Sequence, residues 1–260
     1  MENAGQRERE IALEKKQLCS DNVPWITVYL DGSWSKRSYG TNYNALSGMA
    51  GIIGKNTGEL IFLGVRNKFC SICTRAETKS VEPNDHTCYK NWEGSAPAME
   101  ANIVVDGFNA SENMHGVRYL KFVGDGDSSV YAKIQEKVLY GKQVRKMECT
   151  NHALKNYGKH LRKTKADTSV NLEGRKLLTE KKIKLLVKRA KCSIYEHAKK
   201  QSKDVDLLRS DLRHGLHHVF GEHTNCYQEI CNTPGDISKN LIPDLKRTLI
   251  YNHLRGKPIG

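Results

Sequence analysis

The stretch Ile26–Trp34, ITVYLDGSW, constrains this chain more than any other. Ile26, Val28 and Leu30 alternate with Thr27 and Tyr29, the period-two pattern of a half-buried strand built from β-branched and aromatic side chains. One carboxylate, Asp31, follows at its end, and Gly32 and Ser33 then break or bend the strand. A strand fixes its backbone, so an aspartate at its tip can present its oxygens to a divalent cation at an open sheet edge. The ordinary alternative for such a residue is to cap a turn. What the rest of the chain brings to the same edge decides between them.

Met49–Gly54, MAGIIG, and Glu59–Val65, ELIFLGV, read as a second and third strand joined by a hairpin turn over 54–58. Residues 70–92 lack apolar periodicity and read as an insert. Met99, Ile103, Val104 and Phe108 recur at helical spacing, which predicts a helix over 98–108. Tyr119–Gly124, YLKFVG, is a fourth strand that also ends in carboxylates, Asp125-Gly126-Asp127. Ser128 and Ser129 are suited to cap a helix over 130–140. A short strand over 143–148 and helices over 151–162 and 179–203 complete the order. The fold class this order predicts is α/β, a mixed five-stranded sheet flanked by helices. The expected organisation is a charged helix or tail at 1–22, a sheet core at 23–162 with a cysteine-bearing insert at 66–94, and a basic helical region at 163–260.

A chain of 260 residues can bury one substantial core, with room for a small appendage. Charge is spread unevenly. The first 130 residues carry 14 Lys/Arg against 16 Asp/Glu, the last 130 carry 28 against 13, and the formal net charge is +13. That asymmetry points to a polyanionic partner, with nucleic acid the commonest. The segment Lys176–Lys203 concentrates it. Leu177, Leu178, Ile183, Leu186 and Val187 form an apolar stripe, and Lys181, Lys182, Lys184, Lys188, Arg189 and Lys191 are the candidate phosphate-binding residues. A solvated lysine-rich face competes with that reading. The N-terminal stretch has no apolar segment of the secretory kind, and no run approaches the roughly 20 apolar residues of a membrane span. The eight cysteines are therefore expected in a reducing compartment, as metal ligands or packed thiols sooner than as disulfides.

Cys70-x2-Cys73 followed by His86-x-Cys88 supplies the donor set of a tetrahedral zinc site. The stretch between them cannot build a core of its own, so a zinc staple is expected there in preference to two buried cysteines and a surface histidine. A second constellation is split. Cys149-x2-His152 matches His223-x2-Cys226 in chemistry, and together they would make a Cys2His2 site tying the helical region to the sheet. Cys231 is left as a spare thiol, His214, His217 and His218 are alternative ligands, and buried cysteines with capping histidines compete. For the strand-tip acids, two neighbouring carboxylates repel unless a cation lies between them. Asp31 with Asp125 would suit Mg²⁺ or Mn²⁺, with Asp127 as an alternative ligand.

YLDGSWSKRSYG, GMAGIIGKNTGEL, the Cys70–Cys88 cluster leading to NWEGSAPAME, then GDGDSSVY, MECTNH and KNYGKHL occur in one order from about Val23 to about Cys231. This series resembles the Mutator-like transposase domain found in animal genomes. The resemblance implies a ribonuclease-H-like fold in which the first and fourth strands lie side by side. It implies a DDE triad with Asp31 as the first acid and Asp125 as the second, two-metal cleavage and transfer of DNA strands, work in the nucleus, and homo-oligomers on transposon ends. Cys149 and His152 fit the Cys-x2-His motif that follows the fifth strand in this group. The third acid, a Glu in an N-x-x-E-x-x-N-S-like pattern on a final helix, has no counterpart here, so the expectation is a core that stops before it. The rival expectation is a catalytically inactive, zinc-stapled nucleic-acid-binding protein derived from such an element.

Overall fold

The computed structural model describes residues 1–35, 45–124, 128–200 and 204–255. They form two compact units, 1–149 and 150–260.

The first unit is a five-stranded mixed sheet. Its strands are β1 (Trp25–Trp34), β2 (Ser47–Gly54), β3 (Leu60–Asn67), β4 (Arg118–Gly124) and β5 (Arg145–Glu148), in the spatial order β3-β2-β1-β4-β5. β1, β2 and β3 are antiparallel neighbours, as the hairpin pattern predicts. β4 runs parallel to β1, with Tyr29 beside Val123, and β5 runs parallel to β4, with Gly124 beside Glu148. The C-terminal ends of β1, β4 and β5 therefore emerge at one edge of the sheet. Ile26 and Val28 are fully buried and Tyr29 is exposed, the alternation that the sequence of β1 carries.

The helix α3 (Ala96–His115) covers one face with Ile103, Val104 and Phe108. It approaches the sheet closely at Gly107, where an added Cβ would sit 2.5 Å from Ile52 Cδ1 and 2.6 Å from the Phe62 ring. Phe108 meets Tyr119 edge-on, with ring centroids 5.2 Å apart. Tyr140 Oη donates to the Phe108 carbonyl (2.9 Å) and accepts from the Tyr119 N–H (3.3 Å). A shorter helix, α4 (Ser128–Lys137), adds Val130 and Ile134 to the core.

The charged N-terminus is a docked helix, α1 (Glu2–Glu14), and not a tail. Glu8 is fully buried and holds the β2–β3 turn. Its Oε1 accepts from the N–H groups of Asn56 (2.8 Å) and Thr57 (2.7 Å) and from the Thr57 hydroxyl (3.0 Å), and its Oε2 accepts from Asn56 Nδ2 (2.9 Å). A buried carboxylate needs donors of this kind to offset its lost hydration.

The second unit is helical: α5 (Thr150–Ala166), α6 (Leu172–Leu177), α7 (Glu180–Lys199), α8 (Val205–Val219), α9 (Ile242–Lys246) and α10 (Ile250–Arg255). The predicted helix over 151–162 is α5, which belongs to this unit and not to the sheet unit. Leu178, Ile183 and Leu186 of the predicted apolar stripe are buried with Leu161, Leu216, Phe220, Leu245 and Ile250. Thr179 caps α7 by accepting from the Lys182 N–H, and Asp204 caps α8 by accepting from the N–H groups of Asp206 and Leu207.

Candidate functional site

Asp31 does not end its strand as the sequence reading expects: β1 continues through Gly32 and Ser33 to Trp34, still paired with β2, and Asp31 lies opposite Gly51 and is exposed. β4 ends at Gly124, one residue before the second candidate acid. Asp125 and Asp127 lie outside the described residues. The first turns of α3 cross the C-terminal end of β1: Trp34 Nε1 donates to the Ala96 carbonyl at 3.3 Å, and a Cβ added at Gly32 would lie 2.6 Å from Glu100 Cδ. Glycine at 32 thus leaves room for the Glu100 carboxylate against the backbone next to Asp31. Sequence reasoning missed Glu100, whose only signal is an acid one turn into the helix that follows the hairpin. A further carboxylate, Glu148, ends β5 at the same edge and pairs with Lys146 (3.2 Å).

The first cysteine cluster is assembled as its spacing predicts. Cys70 sits at the N-cap of α2 (Ser71–Lys79) and Cys73 in its first turn, while His86 and Cys88 come from the extended stretch beyond. Cys70 Sγ lies 3.3 Å from His86 Nε2, Cys73 Sγ 3.5 Å from the same nitrogen, and Cys73 Sγ 3.6 Å from Cys88 Sγ. Zinc bonds of about 2.3 Å to sulfur and about 2.0 Å to nitrogen place tetrahedral ligands about 3.3–3.8 Å apart. The His86 Nδ1–H donates to the Asn84 carbonyl at 2.7 Å, which turns Nε2 toward the thiols; that bond and the neighbouring cysteines push the imidazole up to about 9, so a metal bound at Nε2 would displace a proton. The Cys73 N–H holds the Cys70 thiol down to about 6, whereas the Cys88 thiol beside Cys73 pushes that group up to about 11. Ala76 is the only buried residue between Cys70 and Gly94, so this insert has no apolar core to hold it. The four groups can hold a metal ion such as zinc.

The second constellation forms with a different membership. His223 and Cys226 gather with His218 and Cys231, not with Cys149 and His152. His218 lies in the last turn of α8, and the other three lie in the chain that follows, so a reversal just after α8 brings them together. Burial, reinforced by the Arg189 charge, brings the His218 imidazole down to about 4, which keeps it neutral.

The candidate nucleic-acid residues on α7 divide. Lys181, Lys184, Lys188 and Lys191 are exposed. Lys182 is half-buried, with its ammonium 3.8 Å from the Phe220 ring centre. Arg189 is a correction: it is buried, and its guanidinium donates to both carboxylate oxygens of buried Asp211 and to Ser193 Oγ. It serves the core of the helical unit and not a polyanion. In exchange, α5 contributes cations that the sequence reading passed over. Lys155, Lys159 and Arg162 line a groove between α5 and α7 with Lys184 and Lys191, over a floor of Leu154, Gly158 and Val187.

The family model described as Mutator-like transposase matches residues 1–231 of this chain. The chain belongs to the Mutator-like transposase family. No curated protein and no solved structure matches it. The matched span of this Mutator-like transposase domain takes in the whole sheet unit, both Cys/His groups and the basic helices α5 and α7. No helix among its described residues is long and apolar enough to cross a membrane.

Proposed function

We propose that this transposase-derived chain is a DNA-processing domain with a ribonuclease-H-like sheet, whose reactive centre is the edge where β1, β4 and β5 end. The observation that carries the reading is the parallel pairing of β1 with β4, which sends Asp31 and the chain toward Asp125 out at the same edge. In this reading Asp31 and Asp125 hold Mg²⁺ or Mn²⁺, with Asp127 as an alternative ligand and Glu100 as a third carboxylate at the same edge. Bound there, a pair of divalent cations supplies Lewis-acid activation of the attacking oxygen and charge stabilisation at the leaving oxygen of a phosphodiester. The protein's own part is positioning: β1 fixes Asp31, Gly32 admits Glu100, and the lysines of α5 and α7 hold the DNA backbone. The Cys70–Cys88 group serves as a zinc staple for the insert. The animal branch of the family, nuclear location and assembly of copies on transposon ends belong to the same proposal.

A second reading, a catalytically inactive zinc-stapled DNA-binding protein, is supported by the Cys70–Cys88 donor set and by the lysine-lined groove between α5 and α7. Plasmid nicking in Mg²⁺ and Mn²⁺ separates the two. The first reading expects metal-dependent nicks that Asp31→Asn abolishes while DNA binding persists. Equal nicking by Asp31→Asn would overturn the assignment of that residue. Salt-sensitive binding with no cleavage in either metal would select the second reading.

A further inference from the structure

We propose that His218, His223, Cys226 and Cys231 form a closed structural zinc site, a Cys2His2 clasp that fastens the segment 221–241 to the helical unit. The inference stands apart from the DNA reading.

The need for a clasp is visible in the segment itself. Among its described side chains only Cys231 is buried. The segment is tied off by backbone bonds: the Leu241 N–H donates to the Phe220 carbonyl at 2.8 Å, the His223 N–H to the Asp236 carbonyl at 3.1 Å, and the Gly235 N–H to the His223 carbonyl at 2.9 Å. About twenty residues of irregular chain with no core of their own are uncommon in a compact unit unless something staples them. The segment also has a seat. The Tyr227 ring lies 5.0 Å from the His197 ring of α7, and Lys200 Nζ sits 4.3 Å from the centre of the Tyr227 ring.

The geometry of the four groups suits zinc. His218 Nδ1 and His223 Nδ1 face each other at 3.1 Å. Cys226 Sγ lies 3.3 Å from His218 Nδ1 and 3.7 Å from His223 Nδ1, and Cys231 Sγ lies 3.3 Å from His223 Nδ1. A tetrahedral zinc ion requires separations of about 3.3 Å between two nitrogens and about 3.6 Å between nitrogen and sulfur. Two thiolates and two imidazoles select zinc over Mg²⁺ or Ca²⁺, which take oxygen ligands. All four positions are filled by side chains, the mark of a structural site and not a catalytic one. The ligand order is His-x4-His-x2-Cys-x4-Cys, and a hydrogen-bonded cluster without metal is the competing account.

Metal analysis of the full chain tests it. The wild type should carry two zinc ions. Cys226→Ser with Cys231→Ser should carry one, and Cys73→Ser with Cys88→Ser should carry the other. Retention of both ions by the Cys226/Cys231 variant, or a wild type whose zinc is lost entirely with Cys73 and Cys88, would overturn the proposal. Because that variant could unfold, the wild type is also loaded with Co²⁺. Visible bands of two sites, one with three thiolates and one with two, are expected; a spectrum accounted for by the three-thiolate site alone refutes the clasp. In limited proteolysis of the wild type, chelation should expose new cleavage within 221–241 that added zinc suppresses. Identical cleavage in both states also refutes it.

Discussion

Replacing Arg189 by methionine separates two roles that a basic helix can have. Arg189 is 5% exposed and Asp211 4%, and their guanidinium–carboxylate contacts are 2.5 and 3.3 Å long. Without the cation, the buried Asp211 carboxylate loses its guanidinium partner and keeps His197 Nε2 at 3.5 Å beside it. Stranding one member of a buried pair costs about 3–5 kcal/mol. In a unit of this size 1 kcal/mol moves the melting temperature by roughly 4–8 °C, so Arg189→Met should lower it by on the order of 15 °C or more. Arg189→Met combined with Asp211→Leu removes both charges and should recover most of the loss, since two apolar side chains of similar volume often replace a buried pair without net cost. Lys184→Ala and Lys191→Ala should behave oppositely. Each changes stability by less than about 0.5 kcal/mol. Each lowers duplex-DNA affinity and reduces the slope of log K against log salt by about one unit. Thermal melts and fluorescence anisotropy across a salt series give both readouts. If Arg189→Met melts like the wild type and loses the salt slope, Arg189 reaches phosphate and the buried-pair argument fails.

Other parts of the chain yield simpler tests. Glu8→Ala leaves two backbone N–H groups of the β2–β3 turn without their acceptor and should cost about 2–3 kcal/mol in urea unfolding; an unchanged midpoint would mean that α1 does not hold the hairpin. Gly107→Ala places a methyl group against Ile52 and Phe62 and should destabilise by about 1–3 kcal/mol despite alanine's better helix propensity, and a more stable variant would refute the close approach. Chelating zinc from the Cys70–Cys88 group should open residues 66–94 to protease while leaving amide protection of β1 and β4 unchanged, because Ala76 is that insert's one buried residue past Cys70.

What could be read from the sequence follows the range of the interactions. β1 to β4 were legible because alternation is a local signal and the turns between β2 and β3 are short. The first Cys/His cluster was legible because its four residues fall within 19 positions. α3 was read as 98–108 and runs to His115, because two of its inward residues are polar. Ser111 is buried through a bond with Tyr140 Oη, and His115 through one with the Ile61 carbonyl, so counting apolar residues ends the helix early. Arg189 shows the same failure with a usable clue. It lies three residues after Leu186 and four before Ser193, on the buried stripe of α7, so its position in the helix pointed inward although its charge pointed outward. The second Cys/His group was misassigned although its four members fall within 14 residues: matching His223 and Cys226 by chemistry to the distant Cys149 and His152 set aside the nearer His218 and Cys231, and local spacing was the better guide.

The range of the interaction limits the reading of the third acid. A search for it downstream of β5 follows the order of the family's motifs, but proximity to Asp31 is decided by which element crosses the end of β1. That element is α3, upstream of β4, held by the Trp34–Ala96 hydrogen bond and by the space that Gly32 leaves for Glu100. Carboxylates brought to one edge repel one another unless a cation or donors neutralise them. A cation shared by Glu100 and Asp31 therefore makes a specific demand: Glu100→Gln should abolish metal-dependent nicking as Asp31→Asn does, and should weaken Mn²⁺ binding by tenfold or more, with the melting temperature held. If Glu100 only wedges the end of β1 in place, glutamine fills the same volume, nicking survives, and Gly32→Ala, which crowds the wedge, becomes the damaging change. The two substitutions thus distinguish a ligand from a spacer without knowledge of the DNA sequence recognised.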